Sequence, residues 1–437
     1  MHEVKLHHII FFIFLSCLIS IPVFAEETLI ILYTGSVLGE VKPCGCAEEG
    51  DLDGILRRAT IIEKERSANK NILLLDAGDS FKEATAQGKL KAKTMIESLN
   101  KMGYDAALLG EKDFLYGEEI LNQGSFNHWV LSNTENKNLK REKTINYFSK
   151  RLNDGTMVAV IGLLGPELVF AEGQTRFKVE NPEIRLKKIL RKLKAAGEAD
   201  IVLLLTHMNK EKAKELFNSD DVDILINGHL FESELIVNPE IAGKKIMVHV
   251  RERGQYMGKI SITIDQQKIQ KISNEYITLD HKINDSQLVQ SIYDKYNDET
   301  KHLFMKWLLN KKKDGKRVFI SSVACKMCHR HEYTIWKKSG HSHAFSKSLK
   351  KANKTFDPEC LMCHTTGFKE DGGFMSEDTT PELIDVQCEA CHGAANNHAA
   401  DSSKAYGETS KDVCMTCHTR ENSPGYKFSA YWGKIKH

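Results

Sequence analysis

The chain carries almost no net charge: 61 Lys and Arg against 59 Asp and Glu leave +2 over 437 residues. That excludes the basic excess by which a protein of this size would hold nucleic acid. Past Phe24 it also lacks any apolar run long enough to cross a bilayer, so the mature chain is expected to have no membrane span. After Val318 it lacks long apolar runs of any kind and is rich in His, Gly, Ser and Lys. Such a segment is not expected to bury a conventional side-chain core. No fixed-period repeat marks a solenoid.

What is present begins with an export signal. Lys5 and two His precede an apolar run from Ile9 to Phe24, which ends in Val23-Phe24-Ala25 and is followed by Glu26-Glu27. Residues 1–25 therefore read as a signal peptide, and the location as periplasmic or otherwise extracytoplasmic. Cys17 as a lipoprotein anchor is the weaker alternative, because Phe14-Leu15-Ser16 fits that pattern poorly.

The last third holds four copies of Cys-x-x-Cys-His: Cys325, Cys328 and His329; Cys360, Cys363 and His364; Cys388, Cys391 and His392; Cys414, Cys417 and His418. Two thiols at this spacing can add across the two vinyl groups of one haem, and the adjacent His can reach the iron from the same side. Zinc knuckles share the Cys-x-x-Cys spacing but do not require a His directly after every second Cys. The motifs therefore point to four covalent haems c, with His329, His364, His392 and His418 as proximal iron ligands. For the opposite faces the candidates are His341, His343, His398 and His437; His302 and His331 read as surface or structural residues. Met327, Met362 and Met415 sit inside the attachment loops, on the proximal side. The haems supply the apolar mass that the segment itself lacks.

Apolar runs upstream read as buried strands: Leu29–Leu32, Ile72–Leu75, Ala106–Leu109, Val158–Leu164, Ile201–Leu205, Ile224–Ile226, Lys245–Val250, Lys259–Ile264 and Ile269–Leu279. Helical patterns cover Ile55–Ser67, Lys89–Met102, Pro182–Ala196 and Lys210–Phe217. The expected fold is a layered α/β sandwich over residues 28–282. A connecting helix, opened by Asp285 as its cap, and a basic linker then take up 283–317. A haem-packed, mostly α or irregular domain follows over 318–437.

Several segments of the front part resemble the calcineurin-like metallophosphoesterases, in particular periplasmic 5′-nucleotidases. They are Leu32 to Gly39, Gly54 to Ala59, Leu74 to Phe81, Gly110 to Phe114, Leu205 to His207 and Gly228 to Phe231. That family clamps phosphate between two metal ions. The resemblance implies ligands at positions here held by Ser36, Leu38, Glu111, Lys112 and Phe231, so only Asp79, His207 and His229 match. One ion site has lost most of its ligands; the other can in principle be rebuilt from Asp79, Glu111, His207 and His229, an oxygen and imidazole set suited to one divalent ion. Cys44 and Cys46, after the first strand, read either as a strained, easily reduced disulfide or soft ligand pair, or as structural thiols.

Trp336 to Phe345, Cys360 to Phe368 and Val386 to Gly393 resemble multihaem cytochromes that accept electrons from hydroxylamine oxidoreductase. The resemblance implies closely packed haems, mostly with two His ligands. Electron transfer with other redox proteins, multihaem cytochromes or a membrane quinol-linked donor, is the leading expectation. Catalysis on a small nitrogen or sulfur species at an open haem, and phosphohydrolysis with an attached cytochrome, are the alternatives.

Overall fold

The computed structural model describes residues 26–43, 50–169, 177–229, 237–311 and 318–437. The signal stretch, Cys44, Cys46 and Phe231 lie outside the described residues.

Two mixed sheets form the front part. From edge to edge, the first runs Lys268–Thr278, Tyr256–Asp265, Glu27–Thr34, Asn71–Asp76, Ala106–Ala107, Trp129–Val130 and Thr144–Ile145. The second runs Glu240–Ala242, Lys245–His249, Ile224–Asn227, Ile201–His207, Met157–Leu164 and Phe148–Arg151. The inner strands pair parallel in both sheets, except that Glu27–Thr34 runs antiparallel to Tyr256–Asp265. Strand alternation sends Val158, Val160, Ile201, Leu203 and Leu205 into the core shared by the two sheets. Their neighbours Ala159, Ile161, Val202 and Leu204 pack on the helices Pro182–Ala196 and Lys210–Phe217 instead. Burial on both faces is why these strands read as unbroken apolar runs.

The elements follow the sequence pattern with three corrections. The strand expected at Ala106–Leu109 pairs only over Ala106–Ala107; the Leu108 amide then donates to Asp76 O and the chain turns away. The helix expected from Lys89 begins at Ala86, because Thr85 Oγ1 accepts from the Gly88 amide 2.9 Å away and caps it. Asp285 caps nothing: its carboxylate pairs with Lys42 at 2.8 Å, and Ser286 caps a short 3-10 turn ahead of the helix Gln290–Asn310.

That helix is a spine common to both parts. Ile292, Tyr293 and Tyr296 sit in the sandwich core, whereas Phe304 packs with Phe319, Phe345, Leu349, Leu361, Phe368, Phe374 and Leu383. The C-terminal region thus has a small side-chain core of its own, contrary to the expectation from its composition. Its apolar residues are dispersed in sequence and converge only through short helices. Among the described residues no helix is long and apolar enough to cross a membrane.

Candidate functional site

The loops at the carboxyl ends of the parallel strands converge, where open α/β sheets place their ligands. Asp79 follows the strand Asn71–Asp76 in a left-handed backbone conformation, φ 58°. His207 ends the strand Ile201–His207, His229 follows Ile224–Asn227, and Glu111 opens a 3-10 turn over Glu111–Phe114. One ligand atom from each of Asp79, Glu111, His207 and His229 lies within 4.8 Å of the others, so the four residues expected to form a residual site do meet.

Asp113 and Asn227, which sequence reasoning did not single out, hold these loops together with Ser36. Asp113 accepts from the amides of Asp79 (2.8 Å), Phe81 (3.1 Å) and Gly110 (2.8 Å), which ties the second-strand loop to the third. Its signal was an acid three residues after Gly110, the spacing of a capping residue. Asn227 donates to the carbonyls of Met208 (2.9 Å) and His229 (3.2 Å). Ser36 Oγ donates to Gly228 O at 2.6 Å. Gly228 itself leaves no room for a side chain, since a Cβ there would stand 1.8 Å from Ala77 O.

Lys112 enters this cluster. Its Nζ lies 2.7 Å from Asp79 Oδ2 and 3.2 Å from Glu111 Oε1, and its amide donates to Asp79 Oδ1 at 3.0 Å. His207 Nδ1–H donates to Ala77 O (2.9 Å), and Nε2 turns to Glu111 Oε2, 2.8 Å away. Burial opposes charge on His207, but the carboxylates of Asp79 and Glu111 outweigh it and raise its pKa well above the ordinary value. Burial likewise opposes charge on Lys112, and the same two carboxylates outweigh it and raise its pKa.

In the C-terminal region each motif lies on or beside a short helical turn. The thiols of Cys325 and Cys388 lie near enough to perturb each other's ionisation, as do those of Cys363 and Cys417. The first motif therefore abuts the third, and the second abuts the fourth. Glu389, buried between its flanking cysteines, accepts from the amides of Ile320, Ser321 and Ala395 and stitches the first motif segment to the third. Gln387 Oε1 accepts from the Ser322 amide at 2.6 Å and reinforces that join. Asp385 accepts from the Phe345 amide at 2.8 Å.

Three pairs of imidazoles face one another: His329 with His398, ring centres 6.3 Å apart; His418 with His341, 6.0 Å; and His392 with His437, 5.8 Å. A metal–imidazole bond is about 2 Å long and the ring centre lies roughly 1 Å further, so two imidazoles on one metal put their ring centres about 6 Å apart. The three pairs fit one iron each. The Nδ1–H groups of His392, His398 and His437 donate to the carbonyls of Gly407 (2.7 Å), Lys404 (2.9 Å) and Ile435 (3.0 Å), and His364 Nδ1–H donates to Ala344 O at 2.7 Å. A carbonyl acceptor requires the proton on Nδ1, which leaves the Nε2 lone pair for a metal. His343 stands in none of the three pairs. Met327 and Met362 are exposed.

The two parts meet through polar contacts on two of the motifs. Gln87 Nε2 donates to Asp357 Oδ1 (2.8 Å) and Tyr296 OH (3.1 Å), and Lys91 pairs with Glu359 at 2.6 Å, just before Cys360. Glu421, three residues after His418, pairs with Lys82 at 3.4 Å and with Arg253, which also holds Glu40.

The front part has a metallophosphoesterase-like α/β fold, and the helical region behind it carries the motifs of a c-type cytochrome. A family model for "Cytochrome c554 and c-prime" matches residues 324–393, and one for a doubled CXXCH motif matches residues 382–423. Cytochrome c-554 of Nitrosomonas europaea is 33% identical over 95 residues, 18% of this chain and 40% of that protein. The snake venom 5′-nucleotidase of Naja atra is 25% identical over 295 residues, 60% of this chain and 55% of that one. The chain thus spans 40% and 55% of the lengths of these two relatives. Among solved structures, a 5′-nucleotidase precursor from Thermus thermophilus superposes with a TM-score of 0.55 at 18% identity, covering 68% of this chain and 63% of that one. The sulfate thiohydrolase SoxB of the same organism superposes with a TM-score of 0.52 at 15% identity, covering 63% and 61%.

Proposed function

We propose that the chain is an exported tetrahaem electron-transfer protein built on a front domain that has lost phosphoesterase chemistry. In this reading residues 28–282 form the front domain, 283–317 the connection and 318–437 the cytochrome domain. The cysteines of the four motifs hold the haems, and His329, His364, His392 and His418 bind the irons from the attachment side. His398, His341 and His437 would be the second ligands of the first, fourth and third irons. Haem iron supplies one-electron exchange between ferric and ferrous states.

The observation that carries this reading is the set of three imidazole pairs at the separation two ligands of one metal require. Nδ1 hydrogen bonds orient His392, His398, His418 and His437, and Glu389 and Gln387 tie the first motif to the third, an arrangement that would give electrons short steps between haems. Redox partners would be other multihaem cytochromes or a membrane quinol-linked donor. Phosphohydrolysis is disfavoured because Ser36 and Leu38 stand where ligands are needed, and because Lys112 already engages Asp79 and Glu111.

An optical spectrum of the purified protein, ferric and ferrous, with and without carbon monoxide, tests the reading. The expected result is a spectrum dominated by low-spin bis-histidine haem, with most haems closed to carbon monoxide. A chain without covalent haem, or one whose haems mostly bind carbon monoxide, overturns it.

A further inference from the structure

The front-domain cluster contains a cation that belongs to the chain. Asp79 is 1% exposed as a side chain and Glu111 24%, and two carboxylates this close need positive charge between them. Lys112 delivers it: Nζ bridges Asp79 Oδ2 and Glu111 Oε1, and its amide takes Asp79 Oδ1. Glu111 Oε2 faces His207 Nε2. Lys112 thus engages three of the four carboxylate oxygens that a divalent ion would need. The position of Lys112 follows from the fold: it lies in the tight turn Glu111–Phe114, which Asp113 pins to Asp79 and Gly110.

We propose that the Lys112 ammonium is the resident cation of this site, standing where a divalent ion would sit between Asp79 and Glu111, so that the chain is charge-balanced without metal and closed to divalent ions until the lysine is removed. An ammonium and a divalent ion compete for the same lone pairs, and like charges repel across the short distance that would separate them. The lysine also holds the loops carrying Asp79 and Glu111 together, as a bound ion would. This goes beyond the electron-transfer reading and stands apart from it, because neither the haem count nor the haem spectrum depends on Lys112.

The test uses the full haem-loaded chain, stripped with chelator and titrated with Mn²⁺, an ion suited to oxygen and imidazole ligands and poorly held by thiolates. Bound manganese is measured by equilibrium dialysis with elemental analysis, and folding by circular dichroism. The wild type should retain only substoichiometric Mn²⁺ at micromolar concentration. K112M should take up one Mn²⁺ per chain with a Kd tighter by roughly tenfold or more, and K112M/H207A should lose that gain. A K112M chain that is unfolded alone and folds with Mn²⁺ also supports the proposal. Wild type that binds one Mn²⁺ as tightly as K112M overturns it. So does a folded K112M that binds no better than wild type, or one that Mn²⁺ does not rescue.

Discussion

His437, the last residue described, lies with its ring centre 5.8 Å from that of His392, 45 positions upstream in the third Cys-x-x-Cys-His motif. The helix Phe428–Ile435 carries the chain back over the motifs, and Ile435 O takes the Nδ1 proton of His437. The stretch after this helix thereby brings a candidate iron ligand to the third motif.

Replacing His437, His398 or His341 by Ala should convert one haem in each case from low-spin to high-spin without loss of its covalent attachment. The thioether bonds and the proximal imidazole are untouched by these substitutions. Electron paramagnetic resonance and the carbon monoxide difference spectrum read the change, and the double variant H341A/H437A should open two haems. No spectral change in any single variant would mean that the three ring pairs are not iron ligand pairs.

The intact mass of the mature chain, measured after acid and organic extraction, should exceed the polypeptide by four haems. Replacing both cysteines of one motif by Ala should lower it by one. A mass matching the polypeptide with zinc alone would remove the basis for electron transfer.

Hydrolysis of nucleotides and phosphomonoesters should be negligible with any divalent metal, and the double substitution S36D/L38H should not restore it. Lys112 would still occupy the carboxylates of Asp79 and Glu111 in that variant. Robust metal-dependent phosphate release by the unmodified chain, followed in a colorimetric assay, would contradict this.

The join between the two parts should depend more on Gln87 than on Lys91. Gln87, Tyr296 and Asp357 are all buried, so Q87A leaves the Tyr296 hydroxyl without its donor and takes one donor from Asp357, which keeps the Glu359 amide; the loss should be about 1–3 kcal/mol. The Lys91 pair with Glu359 is half open to solvent on the glutamate side, and K91A should cost no more than about 1 kcal/mol. Chemical denaturation followed by tryptophan fluorescence ranks the two; a larger loss in K91A than in Q87A would reverse the assignment.

The attachment motifs were legible in the sequence because their chemistry is local: two thiols and an imidazole within five residues meet one haem wherever the chain runs. The strands Met157–Leu164 and Ile201–His207 were legible for a similar reason, since burial on both faces writes an unbroken apolar run. Short edge strands such as Trp129–Val130 were not, because two residues carry no period. The departures at Ser36, Leu38 and Lys112 could be read by resemblance.

Tertiary structure alone decided which distant residues meet. Sequence named four candidates for the far faces of the irons, and only the fold set His398 against His329, His341 against His418 and His437 against His392. Likewise, Lys112 was visible as a substitution, but its reach across 33 positions to Asp79 was not. The physical reason is common to both: spacing along the chain constrains groups within a turn or two. Beyond that, contact depends on which helices and strands pack, and on buried residues such as Asp113 and Glu389 that tie their loops together through backbone amides.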